Sequence, residues 1–298
     1  MGLGYVCSFT VDRVIHTRGE WLQPGGPALY SALAARAMGG DPVVYSAVGF
    51  DFLGVWLDKL MALGVDVRRV ARFRDALTTM FTISLRSSSR RLYAFNALRL
   101  DSYFRRVRIN ADHVYVSFTN GEVVSGTLSR IVRGKVVFLD LQGFMRRMDA
   151  RGLVRVGEPK VSLEGVRFLK FSHDEVTNIG GLVKRGFKQG VSEILVTRGG
   201  GGAEVYTRME KYYCPALAKP LSAKNTLGAG DVFGSVYFVS RIRGLSAREA
   251  LAAASLAAAS FVKRVGGLPF FELTVERDKI GVVASELVRE EEYVLEDA

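Results

Sequence analysis

Short apolar runs, rich in β-branched residues, alternate along the chain with stretches whose apolar positions recur at helical spacing. The runs at 4–9, 42–47, 113–117, 135–139, 168–171 and 193–197 predict strands. Helical spacing predicts helices over 28–38, 52–63, 126–131, 177–189, 232–239, 247–265 and 277–289. Strands alternating with helices imply an α/β fold with a mostly parallel sheet covered on both faces. Two segments break this rhythm. The first, 77–85 and 91–95 around the polar run 86–90, reads as a hairpin, because Phe81, Ile83 and Leu85 alternate with Thr82 and Ser84. The second, 11–23, predicts two more short strands around a turn at 17–20. These pieces are too small for a second core, so a β lid over 10–24 and 76–105 is expected on one large body formed by 1–9, 25–75 and 106–298.

Composition narrows the class. Of 298 residues, 48% are apolar and 24% charged, which argues against a disordered, collagenous or membrane-spanning chain. The longest weakly polar stretch, 250–262, is shorter than the ~20 residues of a bilayer span and is broken by Ser255 and Ser260, so no membrane partner is expected. The first residues lack a basic segment leading into an apolar run. Cys7 and Cys214 are the only cysteines, which excludes a disulfide framework and a Cys-rich zinc site; the expected compartment is the cytoplasm. The formal charge of +11 favours anionic ligands. Its arginine pairs are scattered through different segments rather than gathered into a stripe, so a small anionic ligand is expected and nucleic acid is not. Arginine-rich composition with only eight Asn and Gln residues suits a heat-adapted source.

The stretch Asn225-Thr226-Leu227-Gly228-Ala229-Gly230-Asp231 carries the strongest chemistry. Glycines 228 and 230 flank Ala229 just before a helical pattern, an arrangement that lets backbone N–H groups converge on an anion at a helix N-terminus. Asp231 in the first turn either offsets the helix dipole or serves as a carboxylate beside an anion hole. The second pairing suits phosphoryl transfer, with the amides on the moving group and the carboxylate taking the acceptor's proton. The spacing does not fit a dinucleotide fingerprint, and no G-x-x-x-x-G-K-[ST] run exists.

This stretch resembles the D-T-x-G-A-G-D signature of the ribokinase-like (PfkB) carbohydrate kinases, and four further segments resemble that family in order. Residues 4–12 resemble its first strand, closed by an aspartate that binds substrate hydroxyls, here Asp12. Gly25 and Gly26, with Val48-Gly49-Phe50-Asp51-Phe52-Leu53-Gly54 beyond, resemble the segment that closes over the sugar. Lys170-Phe171-Ser172-His173-Asp174-Glu175 resembles K-x-N-x-x-E, whose acid helps hold Mg2+, and Thr197-Arg198-Gly199-Gly200-Gly201-Gly202 resembles a loop that lines nucleotide phosphates. The departures are Asn225 for Asp, Leu227 for Thr, Ser172 for Asn, and Tyr30 where many sugar kinases place Asn.

The resemblance implies a three-layer sandwich with a small β lid, and an ATP- and Mg2+-dependent kinase acting on a sugar, polyol or nucleoside. It implies Asp231 as base and Gly228, Ala229 and Gly230 as anion hole. Asp12, Gly25, Gly26 and Tyr30 fall to the acceptor, and Glu175 to magnesium, through water. Lys170, Thr197, Gly199, Gly202 and Asn225 fall to the nucleotide, with Ser255 and Gly266 near the adenine. Asp140-Leu141-Gln142-Gly143 with Arg146 follows a strand pattern; it reads either as a polar loop or, from a shorter resemblance to myo-inositol kinases, as acceptor-binding through Asp140 and Gln142. Arg90, Arg91 and Asn96 lie in or beside the lid hairpin and read either as exposed polar residues or as substrate contacts, Asn96 to the acceptor and an Arg to a phosphate already on it; the hairpin's edges would suit pairing into a homodimer. The alternative from another class is a nucleotide- or sugar-binding regulator without catalysis.

Overall fold

The computed structural model describes residues 2–16, 19–84, 92–264 and 269–293. A ten-stranded sheet runs, in spatial order, Arg289–Glu291, Lys211–Cys214, Ala203–Tyr206, Glu193–Thr197, Phe168–Ser172, Val136–Asp140, His113–Ser117, Leu3–Cys7, Pro42–Val48 and Asp66–Arg72. From Glu193–Thr197 to Asp66–Arg72 every pairing is parallel. The three strands at the other end add on antiparallel.

Strand alternation divides the core into two. Tyr5, Tyr115, Phe138 and Leu195 point to one face, where the helices Pro27–Ala37, Ala229–Ile242, Ala247–Lys263 and Lys279–Glu286 cover them. Their neighbours Val6, Val114, Val137 and Ile194 point to the other, under Asp101–Arg106, Ser125–Val132 and Ile179–Lys188. Helices on both faces make the expected three layers. No helix among the described residues is long and apolar enough to cross a membrane.

A separate four-stranded sheet, ordered Gly19–Gly25, Thr10–His16, Met80–Ser84, Leu92–Asn96, projects from one end. Its inner face gathers Val14, Phe81, Ile83 and Ala94 against Leu227 of the main body. Residues 17–18 and 85–91, where turns are expected and which include Arg90 and Arg91, lie outside the described residues. A short hairpin, Arg146–Met148 with Val154–Val156, reaches the lid's last strand, where Ala94 N–H donates to the Gly152 carbonyl at 2.8 Å.

Differences from the sequence reading fall at edges. Asp66–Arg72 reads as polar because it is an edge strand exposing Arg68 and Arg69. Ala203–Tyr206 and Lys211–Cys214 are only four residues each, too short for periodicity to show. The last helix, expected over 277–289, spans Lys279–Glu286, and Arg289–Glu291 beyond it is a strand paired with Lys211–Cys214. The capping box of Ser246 with Glu249 starts Ala247–Lys263 where the pattern places it.

Candidate active site

A cleft of about 440 Å³ opens between the lid and the C-terminal ends of the parallel strands, where open α/β sheets bind ligands. At its floor lies the start of the helix Ala229–Ile242. Gly228, just before it, has φ +82°, a left-handed conformation, and a Cβ there would sit 2.3 Å from the Tyr30 ring. Only glycine satisfies both demands. Tyr30 is buried, stacked on Phe271 and edge-on to Phe261, and so forms a rigid base beneath the loop. The helical ladder begins with Val232 N–H donating to the Gly228 carbonyl at 2.9 Å. The N–H groups of Ala229, Gly230 and Asp231 thus lie ahead of that ladder, available to an anion.

Asp231 keeps some surface open to the cleft, but protein encloses its other sides. Burial is the largest influence on its carboxyl and Asp140 adds to it; Lys170 and Arg146 pull the other way, and Asp12 pushes up again. The net result is a pKa pushed up to about 7. Below it, Lys170 reaches from the strand Phe168–Ser172 to Asp140 at 2.5 Å, both side chains buried. Burial alone would depress the lysine, but Asp140 and Asp231 outweigh it and hold the ammonium charged. Lys170 Nζ also lies close under the loop, 3.6 Å from where a Cβ on Gly230 would be.

Several of the residues expected on the acceptor side meet at the base of the lid. Asp12 accepts from Thr10 Oγ1 at 2.7 Å and folds over Gly25, where a Cβ would fall 2.1 Å from Asp12 Oδ2. Gly26, Thr119 and Gln142 complete this end; Gln142 Nε2 donates to Ser117 Oγ at 3.2 Å. Above them Phe81, Ile83 and Leu92 present an apolar wall. At the opposite end Thr197, Gly199 and Gly202 form the rim, and Leu217, Pro220, Ala258 and Val262 line an apolar slot beside Ser255.

Five expected site residues stand apart from the cleft wall or outside the description. Asp140 acts from beneath through Lys170, and Gly25 acts by making room for Asp12. Asn96 donates Nδ2 to the Leu77 and Thr78 carbonyls at 3.0 and 2.6 Å, bracing the lid strand. Asn225 accepts from Ser222 Oγ and donates to the Arg264 carbonyl at 2.8 Å, which ties the loop to the end of the helix Ala247–Lys263. Gly266 lies outside the described residues. Glu175 lines the cleft already paired with Arg146, whose Nε lies 2.6 Å from Oε1. Among the described residues no cluster of three or more His, Cys, Asp or Glu side chains could hold a metal ion. Sequence reading missed Thr119, detectable only as a residue just beyond a strand's C-terminal end, and the slot at 215–220, which carries no local signal.

Residues 163–271 match the pfkB family carbohydrate kinase family. Ribokinase from Arabidopsis thaliana is 26% identical over 122 residues, which span 37% of this chain and 32% of that protein, so the match covers about a third of the relative's length. The structure of that ribokinase with ribose and ATP superposes with a TM-score of 0.70 at 18% identity, covering 95% of this chain and 98% of the other. A pyrophosphate-dependent kinase in the ribokinase family, in a sulfate complex, gives 0.75 at 16%, covering 94% and 99%. The nucleoside kinase of Methanocaldococcus jannaschii gives 0.72 at 15%, covering 96% and 99%.

Proposed function

We propose that this chain, with the ribokinase fold throughout and a pfkB carbohydrate kinase segment at 163–271, is an ATP-dependent kinase of a small hydroxylated acceptor. The observation that carries the reading is Asp231: a carboxylate with its pKa near 7, beside three helix-start amides, in the cleft that also holds Asp12. A base poised near neutrality takes a hydroxyl proton without binding it irreversibly.

In this reading Asp12 accepts a hydrogen bond from the acceptor and orients it. The acceptor oxygen attacks the terminal phosphorus, the bond from that phosphorus to the leaving diphosphate oxygen breaks, and the hydroxyl proton passes to Asp231. The amides of Ala229, Gly230 and Asp231 stabilise charge on the transferring group, and Lys170 adds positive charge below. Thr197, Gly199 and Gly202 border the remaining phosphates. The lid covers the reaction and limits hydrolysis by water. Magnesium, carried in on the triphosphate, would neutralise phosphate charge. Glu175 fits a contact to it through water rather than direct ligation, because Arg146 already occupies one of its oxygens.

The slot of Leu217, Pro220, Ala258 and Val262 supports a nucleotide donor, since pyrophosphate offers nothing to fill it. The apolar wall of Phe81, Ile83 and Leu92 supports an acceptor with an apolar side, which favours a nucleoside as second reading over an all-polar polyol. Steady-state assays decide: ATP or pyrophosphate as donor, with magnesium, against ribose, fructose and its phosphates, myo-inositol and adenosine. ATP-driven phosphorylation of one acceptor is the expected result. Saturable binding without ADP release would leave a non-catalytic binder, and turnover with pyrophosphate alone would reject the nucleotide donor.

A further inference from the structure

Arg146 lines the cleft, yet the roles above use it only to hold Glu175. Its backbone follows the short helix Gln142–Met145, whose first residue belongs to the acceptor end, and its side chain reaches Glu175. These two partners lie beyond the neighbouring parallel strands Val136–Asp140 and Phe168–Ser172. The same two strands supply Asp140 and Lys170, the pair beneath Asp231. The guanidinium is near enough that its charge lowers the Asp231 pKa against the burial that raises it.

Arginine presents five N–H donors in a fixed fork. Nε and Nη2 both go to Glu175 Oε1, at 2.6 and 2.5 Å. Nη1 makes no hydrogen bond among the described residues, and the side chain is 25% exposed where it lines the cleft. Lys170 differs: its side chain is buried and its charge is spent on Asp140. The backbone beneath Arg146 is braced as well. Arg146 opens the hairpin with Val154–Val156, whose turn is held to the lid strand Leu92–Asn96 through Ala94 N–H.

A phosphoryl group in transfer spreads negative charge over its three outer oxygens, and a donor fixed in place for them lowers the barrier. We propose that Arg146 is a further catalytic residue: the open Nη1 edge of its guanidinium donates to an oxygen of the transferring phosphoryl group. Glu175 is the positioning residue that holds the other edge of the fork. The inference rests on the kinase reading and adds a charged side-chain donor to the main-chain anion hole.

The test compares wild type with Arg146→Ala, Glu175→Gln and the two combined, on whichever acceptor wild type phosphorylates. Arg146→Ala is expected to lower kcat about 10²–10³-fold. The KM for ATP and for the acceptor should each stay within about threefold, as for a contact made only in the transition state. Millimolar guanidinium chloride should return about tenfold of the loss, because an untethered donor lacks the fixed orientation. The alanine substitution should still lower kcat when residue 175 is already glutamine. Arg146→Lys keeps the charge but not the fork; it should fall between wild type and alanine, and serves alone if the alanine variant does not fold. Three results would each overturn the role of Arg146 while leaving the kinase reading standing: an unchanged kcat, an alanine variant unmoved by guanidinium, or a double variant no slower than Glu175→Gln. Wild type that phosphorylates nothing would instead sink the kinase reading, and this inference with it.

Discussion

The two ends of the cleft are built from different material. The donor end is mainly main chain and small residues: the loop at 228–230, the turn Gly199–Gly201, and the slot beside Ala258. The other end is mainly side chains, several of them delivered by a separate sheet, with Asp12 and Phe81 coming from two lid strands. In the proposed reading, backbone amides recognise what all phosphate donors share, whereas lid side chains recognise what differs between acceptors. One end is expected to tolerate little change at all; the other is expected to change in selectivity before it loses activity.

The sharpest way to break that contrast is Asp231→Asn. Removing a positioned base should lower kcat about 10²–10⁴-fold while leaving ATP binding measurable by calorimetry. The same variant has a stability signature. Burial raises the Asp231 pKa to about 7, so the folded chain favours the protonated form. The cost of the ionised carboxyl grows as pH rises from the unfolded value to about 7 and is full above it. Asparagine removes this cost, so its Tm should exceed that of wild type at pH 8, and the gain should fade as pH drops toward 4. Equal turnover of the two proteins would remove Asp231 from the chemistry.

Gly228→Ala probes the main-chain end next. The left-handed φ costs a side chain about 1–3 kcal/mol, and the methyl meets the Tyr30 ring. Displacing the amides should cost on the order of 10²-fold in kcat. Tyr30→Ala in the same chain should return part of that loss by removing the clash; a double variant no better than the single would show that the ring does not set the loop.

Third comes the pH profile. If Asp231 must be ionised, kcat should fall about tenfold per pH unit below pH 7. Asp140 raises the Asp231 pKa, so Asp140→Asn should move that limb to lower pH. A limb that stays in place would mean another group governs it.

The smallest effect is expected at the lid's brace. Asn96→Ala removes two hydrogen bonds to the 77–78 carbonyls and should cost about 1 kcal/mol in thermal unfolding. The acceptor KM should shift more than the KM for ATP; equal shifts would remove the distinction between the two ends.

The residues that were legible are those whose role is local. The glycines at 228 and 230, with Asp231, announce a helix N-terminus within a few positions of chain, and that is where they stand. The central strands were legible because burial on both faces writes continuous apolar runs, as in His113–Ser117 and Glu193–Thr197. Asn96 and Asn225 illustrate the limit. Their polarity and position suggest ligand contacts, whereas tertiary hydrogen bonds to residues 18 and 39 positions away turn both into braces.

By itself, then, the amino-acid order determined the layered α/β body, the lid, and the glycine-flanked start of one helix, because periodicity and helix-end chemistry act over a few residues. Only the folded arrangement decided that Asp140 acts through Lys170, that Arg146 holds Glu175, and that Tyr30 supports Gly228. Those pairings join segments 29 to 198 positions apart, where the close packing of helix, strand and loop, not local preference, selects the neighbour.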